Sequence, residues 1–399
     1  VNQLHQWFTK QNIEEVHVKK TFILSLVLFF ICTLFAFAGS EDEAAVSQEV
    51  QEVLKVGFIY VGPIGDLGWT HAHDQARLMV EELPWAETVY QESVPEGDTV
   101  STIERMIQQQ GCDVVFTTSF GFMDGTIEAA AKFPDKVFAH CSGFKRAPNS
   151  ATFMADLYQT FYLNGLMAGA LSKSGKIGYV AAVPIPEVKR SINAVAIGAR
   201  EVNPNAEVLV RWTNAWFDPP AATEATMALI DEGCDVFVFT EDSTTVVEVA
   251  AQNGLPSFGH YSPMYDSAPD YVVSGQLVHW DVFYLQFLGL VYAGILGPEN
   301  LEDLDYWGLL KEGAVELGAE TGMAVNPLWK DKLGDTYDLV MQRVEQMKDQ
   351  QVTFDPFTGP MRDRNGKMIL QNGERMNYFD ILTIEWAAEG VVGPWPNEP

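Results

Sequence analysis

Cysteine is scarce, with four in 399 residues. A small exported domain built on disulfides carries more, and usually an even number. Cys112, Cys141 and Cys234 each sit in or beside an apolar run, so buried free thiols are expected. Cations are scarce too: 25 Lys and Arg stand against 54 Asp and Glu, a net charge of −29. Phosphate affinity is built from clustered Lys and Arg, which disfavours nucleic acid and an anionic membrane surface as partners. Nucleotide motifs are missing. Gly62, Gly65 and Gly68 are spaced G-x-x-G-x-x-G, whereas the dinucleotide fingerprint is G-x-G-x-x-G. Asp66 among them would repel a pyrophosphate. There is no Walker lysine and no G-x-S-x-G elbow. "HAHD" at 71–74 invites a metal, but His71 and His73 would point about 200° apart on a helix and cannot share one ion. No cofactor, no metal and no enzymatic activity are expected.

A run that does stand out is "TFILSLVLFFICTLFAFAGS", preceded by Lys19 and Lys20. A basic flank, a short apolar core and an A-F-A site read as a secretory signal, cut after Ala38. The core is short for a membrane span. An uncleaved anchor and lipidation at Cys32 are the weaker readings, since "FFIC" is a poor lipobox. The polar residues 1–17 sit oddly before a signal, and Val18 is the alternative start. The expectation is an exported protein, periplasmic or on the cell surface.

The chain then repeats itself. "KVGFIYVGPIGD" from Lys55 matches "KIGYVAAVPIPE" from Lys176, at an offset of 121. "QGCDVVFTTS" from Gln110 matches "EGCDVFVFTED" from Glu232 at 122, and "FAHCSGF" from Phe138 matches "FGHYSPM" from Phe258 at 120. Three ordered matches at nearly one offset mean two copies of one unit. In each copy short apolar runs alternate with segments of helical period, such as 69–83. That pattern predicts α/β lobes, each a mostly parallel sheet covered on both faces. One long helix is expected over 327–350, a hairpin around Asn365-Gly366, and a short strand in "GAVELG". The segment 298–326 is otherwise hard to assign.

Open parallel sheets bind ligands at the carboxyl ends of their strands. The residues that follow the strands are therefore candidates: Asp66 and Trp69, Phe120, Glu187, Trp216 and Phe217, Asp242, His260, and Trp280. Aromatic faces stack on flat rings or cations, and carboxylates accept from N–H groups. A phosphate or carboxylate ligand would call for cations instead. The set fits a neutral, flat, nitrogen-rich molecule such as a purine. Each residue also has a plain structural reading. Asp66 and Glu187 stand where helix caps stand, and Trp69 can be core.

In combination, "KVGFIYVGPIGDLGWTHAHDQAR", "ESVPEG", "TTSFGFMD", "NAWFDPPAATEA", "DEGCDV" and "GPMRDRNGK" resemble the basic membrane protein family, from about Lys55 to Gly393. Its members are purine-nucleoside-receptor-like substrate-binding proteins of ABC transporters. The resemblance implies a two-lobed type I periplasmic-binding-protein fold with three crossovers and a hinge. With residues 1–38 removed as the signal segment, it implies one lobe from 55–160 plus about 279–300, and a second from about 161–278 plus 301–399. It implies a monomer that binds a purine base or nucleoside in the inter-lobe cleft and hands it to a membrane permease. Trp69 and Trp216 or Phe217 would stack; Asp66, Glu187 and Asp242 would accept hydrogen bonds. Two departures argue against ribose. "VVSGQLVHW" lacks the lysine common on the returning strand of nucleoside binders, and "HYSPM" lacks an acid found in many relatives. A free base such as adenine is favoured. A ligand sensor for a receptor, or a nucleoside-processing enzyme, are the rival readings.

Overall fold

The computed structural model describes residues 53–396; the expected signal segment and its cleavage site lie outside them. The first repeat runs β1 (Leu54–Tyr60), α1 (Trp69–Glu81), β2 (Ala86–Gln91), α2 (Thr99–Gln110), β3 (Val114–Thr118), α3 (Met123–Lys132), β4 (Val137–Cys141) and β5 (Ser150–Ala155). The chain crosses through α4 (Tyr158–Leu171) into the second repeat. That repeat runs β6 (Lys176–Ala181), α5 (Pro186–Val202), β7 (Glu207–Trp212), α6 (Pro219–Asp231), β8 (Val236–Phe239), α7 (Thr245–Gln252), β9 (Ser257–Tyr261) and β10 (Val272–Val278). It returns through α8 (Trp280–Tyr292) to β11 (Asp305–Gly308), and crosses again to β12 (Val315–Leu317). The remainder is α9 (Pro327–Leu333), α10 (Asp335–Lys348), the β13–β14 hairpin (Met361–Arg362, Met368–Leu370), α11 (Tyr378–Leu382) and β15 (Val391–Val392).

The first sheet has the order β11-β5-β4-β3-β1-β2 and the second β12-β10-β9-β8-β6-β7-β15. The shared core order, second-first-third-fourth-fifth, makes the sequence repeat a structural one. All neighbours pair parallel except β12, which runs antiparallel to β10. β3, β4 and β5 are buried along their whole length, as a parallel sheet with helices on both faces requires.

Between the sheets, α4 is apolar nearly all round and almost wholly buried. It packs so tightly on α5 that a Cβ on Gly165 would lie 2.4 Å from the Val195 carbonyl oxygen, and one on Gly198 2.1 Å from that of Tyr162. Glycine on both helices lets the two backbones touch.

Two expectations are corrected. The helix over 327–350 is two helices, broken at Gly334, whose backbone sits at φ 55° and ψ −135°. The region conformation is one glycine adopts readily and other residues do not. The residues 305–308, assigned beyond 301 to the second lobe, form β11 and pair with β5 in the first sheet.

The repeat extends to backbone detail. Four of the non-glycine residues with positive φ fall in two pairs. Ser93 and Asn214 follow β2 and β7; Ser142 and Tyr261 end the β4 and β9 runs. The pairs are 121 and 119 positions apart. Such conformations are uncommon and cost of order 1–3 kcal/mol each.

Candidate functional site

The carboxyl ends of the two sheets meet. Trp69, first residue of α1, donates its backbone N–H to Asp242 Oδ1 of the second lobe at 3.4 Å. A Cβ on Gly68 would lie 2.9 Å from the Asp242 Cα. The Ser142 hydroxyl donates to Glu187 Oε2 at 2.5 Å, and the Ser262 hydroxyl reaches the Leu67 carbonyl. The Trp69 ring meets Tyr261 edge-on at 5.1 Å. The lobes are therefore closed on one another.

Between them lies a cavity of about 280 Å³, lined by Val61, Trp69, Ser119, Phe120, Ser142, Ile185, Glu187, Trp216, Asp242 and Tyr261. Neither Lys nor Arg is among the lining residues. Lys145 and Arg146, which follow β4, pair with Asp124 at 2.5 Å and Asp305 at 3.1 Å.

Five of the nine sequence candidates line the cavity: Trp69, Phe120, Glu187, Trp216 and Asp242. Trp69 is fixed by its indole N–H, which donates to the Thr118 carbonyl at 2.6 Å. Phe120 begins a short 3₁₀ turn after β3 and leans on Phe144 at 6.5 Å. Trp216 stands on the turn before α6. The Asp242 backbone N–H donates to its carbonyl at 2.7 Å, and Asp218 caps the helix by accepting from Ala221 N at 3.0 Å.

Four candidates lie elsewhere. Asp66, 3% exposed, turns its carboxylate onto its own chain. It accepts from the backbone N–H groups of Gly68, His71 and Thr70 at 2.8, 2.9 and 3.1 Å. It organises the start of α1, as a cap does. Phe217 is 42% exposed and off the cavity wall, because its neighbour Trp216 takes the inward direction. His260 is buried among Phe161, Phe239 and Tyr261, and burial pulls its pKa down to about 3. Trp280 lies behind the wall. It stacks on His73 at 4.2 Å and meets Trp69 edge-on at 5.2 Å, so it supports the ring that does line the cavity.

Sequence reasoning put forward His260 where its neighbour Tyr261 belongs. The left-handed backbone at Tyr261 breaks the alternation of β9, and its ring packs on that of His260 at 3.6 Å. The positive φ of Tyr261 completes the turn inward. Ser119, Ser142, Val61 and Ile185 carry no signal beyond following a strand.

The electrostatics are one-sided. Asp242 is buried with Asp66, Glu241 and Glu187 nearby, and burial first, then those charges, push its carboxyl well above the usual range. Burial raises Glu187 as well, although Arg190 and the Ser142 hydroxyl oppose it. Burial also raises Asp66 and Glu241. The site favours groups that bring hydrogen-bond donors.

A profile of the Bmp family, described as ABC transporter substrate-binding protein, PnrA-like, matches residues 53–346. The chain belongs to this family. Bmp proteins present a small molecule to a membrane permease and work outside the cytoplasmic membrane. Among the described residues no helix is long and apolar enough to cross a membrane. The chain is 38% identical to a purine-binding protein of Brucella abortus over 86% of its own length and 93% of the relative's. It is 40% identical to a putative ABC transporter glucose-binding protein of Haloferax volcanii, over 73% of each. Its fold is similar to an ABC transporter solute-binding protein of Aeropyrum pernix, with a TM-score of 0.63 and 19% identity over 78% of this chain and 93% of the other. The type I periplasmic-binding fold expected from sequence is the fold observed.

Proposed function

We propose that this Bmp protein is the extracytoplasmic binding component of an ABC importer for purines, with a free base such as adenine favoured over a nucleoside. The observation that carries the reading is the wall of the cavity. Trp69, Phe120 and Trp216 offer rings to the same space as the Asp242 and Glu187 carboxylates, with no Lys or Arg among the lining residues. Rings stack on a flat heterocycle, and carboxylates take its N–H groups. The lack of a lysine along β10 favours the base. The Brucella relative, a purine-binding protein, supports a purine ligand. Binding would favour the closed arrangement, which a permease can distinguish from an open one.

The Haloferax relative raises a sugar as the second reading. Calorimetry with adenine, adenosine, guanosine, inosine and glucose separates the two. Micromolar or tighter binding of a purine is expected. Heat with glucose alone, or with none of the purines, overturns the purine reading.

A further inference from the structure

Neither Lys nor Arg lines the ligand cavity, yet a buried cation stands close to one of its walls. Arg190 lies three residues after Glu187 on α5. Residues so spaced are neighbours on one helix face, with Cβ atoms roughly 5–6 Å apart. The Arg190 Nε donates to Asp156 Oδ2 at 2.8 Å, and both side chains are buried. Asp156 follows β5 of the first lobe and is fixed there. The Trp307 indole N–H on β11 donates to the same oxygen at 2.9 Å, and the Tyr158 backbone N–H to Oδ1 at 3.3 Å. Asp156 and Glu187 line a second cavity, which shares Glu187 and Tyr261 with the first. Arg190 therefore serves two carboxylates: it is bonded to one and neighbours the other.

We propose that Arg190 is a positioning residue of the ligand site: pinned to Asp156 of the first lobe, it keeps a positive charge beside the Glu187 carboxylate and so keeps that group an acceptor for ligand N–H groups. This rests on the reading of Glu187 as a ligand acceptor.

Burial works against an ionised carboxylate unless other groups oppose it. Those facing Glu187 are Arg190 from its own helix, the Ser142 hydroxyl and the Cys141 thiol from the end of β4, and the Tyr261 phenol from β9. Asp156 from the end of β5 and Asp242 from the turn after β8 complete the set. The two acids act in the same direction as burial. Burial raises the Glu187 carboxyl, and Arg190 is the largest of the influences that pull it back, ahead of Ser142 and Tyr261. Ser142 reaches Glu187 across the cleft. Arg190 shares its helix, so its charge stays beside Glu187 whether the lobes are open or closed.

The test neutralises the pair together, because Arg190→Gln alone would leave Asp156 buried and unpaired. Asp156→Asn combined with Arg190→Gln removes both charges and keeps two groups that can hydrogen-bond. Carboxyl carbon NMR of the intact, ligand-free protein follows Glu187, with Glu187→Gln identifying its signal. In the neutral pair the midpoint is expected about one pH unit above the parent's. Arg190→Lys keeps the charge and is expected to keep the parent's midpoint. Calorimetry with adenine at pH 6, 7 and 8 then reads the ligand site. The neutral pair is expected to bind more weakly than the parent, with the deficit growing about threefold or more from pH 8 to pH 6, because Glu187 loses its charge earlier as pH falls. An unmoved midpoint, or one that moves as far in Arg190→Lys, overturns the proposal. So does a loss of equal size at every pH, which a merely structural role would give. If the midpoint moves but the parent binds no purine, the purine reading falls and the hold of Arg190 on Glu187 stands.

Discussion

The hydroxyl of Ser142 donates to the carboxylate of Glu187 across the cleft, at 2.5 Å. One residue ends a strand of the first sheet; the other opens a helix of the second. A charge-assisted bond of this kind is worth about 1.5–3 kcal/mol, and it exists only when the lobes meet. Ser142→Ala is expected to weaken adenine binding about tenfold, with little change in melting temperature. Calorimetry checks it, and an unchanged affinity would remove Ser142 from the closure.

Trp216 and Phe217 separate by a single position. Base–aromatic stacking is worth about 1–3 kcal/mol. Trp216→Ala should therefore cost roughly tenfold to a hundredfold in adenine affinity, and Phe217→Ala less than twofold. Equal losses would mean that the turn before α6 presents both rings to the ligand.

Gly68 stands where the backbones of the two lobes approach closely. Its φ of −120° is not in the left-handed region, and a melting curve checks that Gly68→Ala leaves each lobe folded. The added Cβ would stand 2.9 Å from the Asp242 Cα and hold the cleft ajar. Small-angle scattering should show that adenine fails to compact this variant as it compacts the parent. Full compaction would place the contact elsewhere.

The clustered carboxylates make closure sensitive to pH. Asp242 has a raised pKa in the closed form. A raised folded-state pKa gives stability that is complete below the unfolded value and lost as pH rises through the folded one. Asp242→Asn removes that loss. Its melting temperature without ligand should exceed the parent's at pH 8 and approach it at pH 5. A parent curve parallel to the variant's across this range would contradict the cluster's role.

Much of this was written in the order of residues. The strands were legible because wholly buried strands are mostly apolar, and the repeat was legible because both copies keep the same glycines and acids at the same strand ends. The break at Gly334 was not, because the polar and apolar pattern carries on through it. β11 was not, because Asp305, Tyr306 and Trp307 are only partly buried at the edge of the sheet. At the site, aromatic and acidic residues after strands were the right class. Which member of a pair faces the cleft was a matter of one backbone turn. Asp66 looked like a ligand acceptor because a cap and a ligand ask for the same carboxylate.

The paired left-handed turns have a consequence for how such a site diversifies. Ser142 and Tyr261 hold the same unusual backbone in the two copies, yet one carries a short alcohol and the other a long phenol. Both reach the same Glu187 carboxylate from opposite walls. Two identical halves would have had to offer identical side chains there. Joined in one chain, the halves keep a common skeleton and mutate independently, so an inherited symmetry can enclose a ligand that has none.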